Sequence, residues 1–128
     1  MGQTIQVDIH IQLRRMYQLL GEVQDTSRQL AEAVDRDDQV AIQMLMGMRE
    51  EPLRRLVRCR EDVTALLESA PAEEGRRLRA LLNGEPAGHE AEKALADQVA
   101  ANARLLKQVT ALDEVLSRKI AREKSLYE

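Results

Sequence analysis

Residues 90–128 read EAEKALADQVAANARLLKQVTALDEVLSRKIAREKSLYE, a run without proline or glycine. Leu95, Val99, Leu105, Leu106, Val109, Leu112, Leu116 and Ile120 recur along one stripe of it, with Asn102 in line. Spacings of three and four residues place such positions on one helical face, so the stretch predicts a single amphipathic helix over about 89–126. A helix of that length spans about 57 Å at 1.5 Å per residue. A compact domain of 128 residues has a radius of gyration near 14 Å, by contrast. The molecule is therefore expected to be elongated. Either other long helices run beside this one, or part of its apolar face stands open for a partner.

Toward the N-terminus, Glu85, Pro86, Ala87 and Gly88 form a turn-rich connection. A short helix over 72–83 precedes it, carrying Leu78, Leu81 and Leu82 and stopping at Asn83 and Gly84. Before Ser69, Ala70 and Pro71 the spacing predicts a helix over 38–69, with a seam of Leu45, Met48, Leu56, Cys59, Val63, Leu66 and Ala70. A second stripe, Ile42, Met46, Leu53 and Val57, widens its apolar face. Pro52 lies inside this helix and lacks the N–H of an interior position, which predicts a kink, or a restart with Pro52 in the first turn.

Asp35, Arg36, Asp37 and Asp38 break the pattern again, and Asp37 or Asp38 can cap the helix that follows. The first helix, over 4–34, has a heptad-like seam of Ile9, Leu13, Met16, Leu20, Val23, Leu30 and Val34, with Ser27 at the missed position. Ile5, Val7, Ile9 and Ile11 alternate as a strand does. Helix is the expectation there, with Thr4 as N-cap, because no other segment could pair with a lone strand; the alternative is an arm that adds to a partner. The fold class is all-α: one domain, an elongated antiparallel bundle of three long helices and one short.

Composition narrows the function classes. Apolar residues make up 44% of the chain, yet Tyr17 and Tyr127 are its only aromatics, which suits thin helix seams built from Leu, Val, Ile, Met and Ala. A net charge of −3 argues against general binding of nucleic acid or anionic membrane. Cys59 is the only cysteine, so no internal disulfide forms and a reducing compartment is expected. The first residues, Met1, Gly2, Gln3 and Thr4, lack the features of a signal peptide, and Gln6 stands where a myristoylation signal needs Ser or Thr. No stretch is apolar enough to enter a membrane. A cytoplasmic protein is the expectation.

Chemistry-bearing residues are sparse. His10 and His89 are far apart, and Lys93 occupies the position where a helical zinc pair would need a second histidine. Asp35, Asp37 and Asp38 resemble the start of a calcium loop, but no glycine stands at the sixth position and Met46 occupies the twelfth. Cys59, flanked by Arg58 and Arg60, sits on an apolar seam as an inert thiol would. The arginines at 49, 54, 55, 58, 60, 76, 77 and 79 are offset by Glu50, Glu51, Glu61 and Asp62 and read as an ion-paired face. Met44, Met46 and Met48 either fill an uneven core or line a surface that accepts apolar partners. Asn102 either fixes register inside the bundle or bonds a partner segment. No catalytic residue, cofactor or metal is expected.

The long first helix, the acidic break at Asp35 to Asp38 leading into Val40, Leu45, Arg49 and Leu53, and the long last helix with Asn102 ahead of Leu105 and Leu106 resemble the FlgN-type flagellar export chaperones. The resemblance spans nearly the whole chain. It implies a small, cytosolic, non-enzymatic helical protein that binds hook-associated subunits of the hook–filament junction before export. It further implies that the last helix grips the subunit's C-terminal helical segment. The candidate partner-binding residues are Asn102, Leu105, Leu106, Val109, Leu112, Leu116 and Ile120, with the last turns near Leu116 and Ile120 expected to be least covered. The export apparatus and a second copy of the chain are further partners to consider. The alternative is a structural coiled-coil or bundle protein that dimerises and carries no client.

Overall fold

In a computed structural model that describes residues 2–127, with the side chains of 4–124, the chain forms α1 (Gly2–Asp35), α2 (Gln39–Ser69), α3 (Ala72–Leu82) and α4 (Glu90–Tyr127). There is no strand among the described residues. Expectations resting on the side chains of Met1, Gln3 and Tyr127 lie outside the described residues. Thr4 is inside α1 and is not its N-cap, since the helix already runs from Gly2. Ile5, Val7, Ile9 and Ile11 are all helical, and burial of Ile9 against α2, α3 and α4 overrides their β-branched preference. The restart at Pro52 does not occur either. α2 is continuous through it, and the proline is buried.

Local chemistry sets the breaks. Past the end of α1, Asp37 adopts φ 54°, the Asp37 N–H bonds the Val34 carbonyl and the Asp38 N–H bonds the Ala33 carbonyl, each at 3.0 Å. This is a Schellman turn with aspartate in the left-handed position. Asp38 then caps α2, its Oδ1 accepting from the Ala41 N–H at 3.1 Å. α3 ends the same way at Gly84, φ 99°, with bonds from Gly84 N–H to Leu81 and from Glu85 N–H to Ala80.

α1 packs along both α2 and α4, while α3 packs on α2 and α4. Three apolar clusters follow one another down the bundle. Ile9, Leu13, Val63, Leu78, Leu81 and Leu95 join all four helices at one end. Leu20, Val23, Leu105 and Val109 fill the middle. Leu30, Ala33, Val34, Leu45 and Leu116 close the other end, beside the α1–α2 turn. There Lys119 donates to Asp35 and ties α4 to the end of α1.

The α3–α4 connection is held by one carboxylate. Glu92, in the first turn of α4, is 4% exposed. It accepts from Arg77 Nε at 2.8 Å and Nη2 at 2.7 Å, and from the Gly88 N–H at 2.8 Å. Arg77 also donates to the Pro86 carbonyl and to Glu85. The Arg77 bonds, followed by that of Gly88, hold the Glu92 carboxyl down at about 2, from an ordinary 4.5, against the opposing effect of burial.

Two sets of substitutions test this packing. Ser27 is fully buried and its Oγ has no partner, so Ser27→Ala should raise unfolding free energy by about 1 kcal/mol. Leu30→Ala at an equally buried position should lower it by about 2–5 kcal/mol in the same denaturant titrations. Because the folded-state value of Glu92 is depressed, its contribution is fully present above pH 4.5 and is lost as pH falls toward about 2. Melting temperatures of wild type and Glu92→Gln should therefore differ most near neutrality and converge through that window. A gap independent of pH would remove the carboxylate from this role.

Candidate functional site

Both α2 and α4 lean on α1, and where they stand apart a groove opens between them. Its floor is Leu13, Met16 and Leu20 of α1. On the α2 wall stand Leu53, Leu56, Val57 and Arg60; on the α4 wall stand Val99, Asn102, Ala103 and Leu106. Each wall thus presents positions i, i+3, i+4 and i+7, one continuous helical stripe. Leu82, on the last turn of α3, closes one end. At the other end the Arg49 Nη2 to Asp113 Oδ1 ion pair spans from α2 to α4. The groove holds about 470 Å³, within the ~300–1,000 Å³ range of pockets that take ligands. Leu53, Val57 and Leu106 are 40%, 54% and 53% exposed, so the walls meet solvent rather than each other.

The stripe continues beyond the ion pair. Met46 and Ile42 lie one and two turns before Arg49 on α2, and Ile120 lies seven residues after Asp113 on α4. These three, with Val34, Gln39, Gln43, Glu123 and Lys124, line a second opening of about 600 Å³. The ion pair separates the two openings, and the α2 wall of the groove from Leu53 to Arg60 is about 10 Å long.

Of the seven candidate partner-binding residues, Asn102 and Leu106 line the groove. Leu105 and Val109 are packed into the middle core against Leu20 and Val23. Leu116 is 1% exposed within the far cluster, which corrects the expectation that the last turns near it stand uncovered. α1 is long enough to reach that end, and the Lys119–Asp35 pair holds it there. Leu112 is half-buried, and Ile120 is half-buried against the same cluster while edging the second opening. Met16, Leu53, Leu56, Val57, Arg60, Val99 and Ala103 join the site from outside that set. The second apolar stripe of α2 signalled Leu53 and Val57, and Met16, Leu56 and Val99 were visible as seam residues, whereas Arg60 and Ala103 had no signal.

Both polar side-chain atoms of Asn102 are hydrogen-bonded within the chain. Its Nδ2 donates to the Leu13 carbonyl at 2.8 Å, and its Oδ1 accepts from Gln98 Nε2 at 2.8 Å, fixing α4 against α1. Met44, Met46 and Met48 are 59%, 49% and 52% exposed and do not fill the core. Most arginines nearby have acidic partners: Arg54 and Arg55 pair with Glu51, and Arg49 with Asp113. The Arg54 bond holds the Glu51 carboxyl below its usual range. Arg60 has no such partner among the described residues and is the single charged side chain in the groove. Cys59 is buried, and desolvation, reinforced by Asp62 and opposed by Arg15, pushes its thiol up, away from the reactive thiolate.

Among the described residues no group of three or more His, Cys, Asp or Glu side chains is placed to hold a metal ion, and no helix is long and apolar enough to cross a membrane. The arrangement offers apolar surface in a helix-lined furrow with one available cation. No family model, curated protein or solved structure matches the chain.

Proposed function

We propose that this chain is a non-enzymatic, cytoplasmic helical chaperone that holds an amphipathic helical segment of another protein in the furrow between α2 and α4. The observation that carries the proposal is the open apolar groove. Large apolar side chains on two facing walls stay half-exposed although the same helices pack tightly on α1. A helix laid into such a furrow buries its own apolar stripe against both walls. The resemblance to FlgN-type proteins supplies the client class, a helical terminus of a hook-associated subunit kept soluble until it reaches the export apparatus.

A structural bundle protein that only self-associates is the competing proposal, and a separate feature favours it. Val40, Met44 and Met48 form an exposed stripe on α2, Val40 being 81% exposed and the two methionines more than half. Light scattering of the purified protein distinguishes the two. A tight dimer unaffected by Leu106 substitution fits self-association; a monomer or loose oligomer that changes state with a client fits the chaperone.

Co-purification from the native host, with identification of the bound chain, tests the client directly. A flagellar junction subunit is expected, and its consistent absence while other chains bind would sink that assignment. Leu53→Lys with Leu106→Lys should keep the melting temperature within about 3 °C, because both positions are exposed, yet weaken client binding by at least tenfold. Burying one leucine contributes about 1.5–3 kcal/mol, and 1.4 kcal/mol is a factor of ten. Unchanged affinity in isothermal titration would exclude the groove.

A further inference from the structure

The furrow already holds one helix, and it belongs to the chain itself. α3 packs on both α2 and α4, with Leu78 and Leu81, three residues apart, buried against Val63 of α2 and Leu95 of α4 over Ile9 and Leu13 of α1. At the edge of that buried face, Arg77 is neutralised by Glu92 and Glu85. With α1, α2 and α4 this makes a four-helix bundle, but only for the 11 residues of α3. Past Leu82 the fourth position is open, and the groove begins there.

Between Leu82 and the Arg49–Asp113 pair, the groove has one charged lining residue. The amide nitrogen and oxygen of Asn102 are each hydrogen-bonded, and Arg49 is paired at the far end. Arg60 alone offers a guanidinium with no acceptor, next to Val57 and across from Val99 and Ala103. Since α3 shows how this furrow receives a helix, with leucines facing in and the arginine at its edge paired with carboxylates, the missing complement can be specified.

We infer that the segment filling the vacant fourth position is an amphipathic α-helix of a partner protein with large apolar residues at i, i+3 or i+4 and i+7 and a carboxylate side chain at one edge of that stripe, placed to pair with Arg60. The inference rests on the helix-binding role of the groove and adds the chemistry that selects among helices. Apolar burial supplies affinity; the Arg60 pair sets register and direction, as edge charges do for helix pairs.

A displayed library of about 18-residue helices, long enough for the furrow, tests it. Leucines are fixed at i, i+3 and i+7, the flanking positions are randomised, and selection is run on the full chain as wild type, Arg60→Glu and the Leu53→Lys, Leu106→Lys double variant. Wild type should enrich Asp or Glu at one flanking position, and Arg60→Glu should enrich Lys or Arg at that same position. A selected acidic helix should bind Arg60→Glu about tenfold more weakly, with affinity regained when its acid is changed to lysine. Helices enriched without a charge preference, or with one that Arg60→Glu leaves unchanged, would overturn the carboxylate assignment and leave the groove intact. Failure to enrich any helix on wild type, or equal enrichment on the double lysine variant, would overturn the groove itself and the carboxylate assignment with it.

Discussion

Burial on two adjoining faces of α1 is the constraint from which the rest of the structure follows. One face carries Ile9, Leu13, Leu20, Val23, Leu30 and Val34; a second, at seven-residue spacing, carries Leu19, Thr26 and Ala33, and all of these are buried. A helix with a single seam pairs with one neighbour. A helix buried over two needs two neighbours, and α1 has them in α2 and α4. Those two helices are thus fixed by α1 more than by each other, and Arg49 with Asp113 is the ion pair that links them directly. The side on which they face each other is the one that α1 leaves free to open.

How much of that side stays open is decided by α3. Pro71 starts it and the left-handed Gly84 stops it, leaving 11 residues in a position that the long helices could fill for more than twice that length. Glu92 keeps the short helix in place by gathering Arg77 from α3 and the Gly88 N–H from the connection around one buried carboxylate. Loosening that contact would free Leu78 and Leu81 from the end cluster and lengthen the furrow. Groove size is in this sense an electrostatic property of the α3–α4 turn.

The helices were legible in the sequence because their ends carry local chemistry: Asp38 as a cap, Pro71 as the stop after α2, Gly84 as the stop after α3. Even so, α1 runs past Thr4 and α2 runs through Pro52, where burial of the proline maintains helix although local preference predicts a boundary. The site was only half legible. Leu53 and Val57 were visible as a second stripe on α2, and Leu106 as part of the α4 stripe, but periodicity does not tell which stripe meets α1. Leu105 and Leu106 differ by a single residue, or 100° of helix, and one is core while the other is groove wall. Leu19 and Ala33 were likewise outside the seam of α1, so the second buried face of that helix was not visible even though a bundle of three long helices and one short was expected.

That 100° also separates stability from binding. Leu105, Val109 and Leu116 point into clusters closed by α1, so truncating them opens cavities and unfolds the protein before any partner is considered. Leu53, Val57 and Leu106 sit on the same helices yet contribute less to the fold, because water already reaches them. A surface kept apolar at so little benefit to stability carries a cost in solubility. Its confinement to one furrow, ended by an ion pair and edged by a lone arginine, limits that cost, since an apolar segment must be helical and correctly charged to enter. The features that make the groove hazardous when empty are the ones that make it selective when filled.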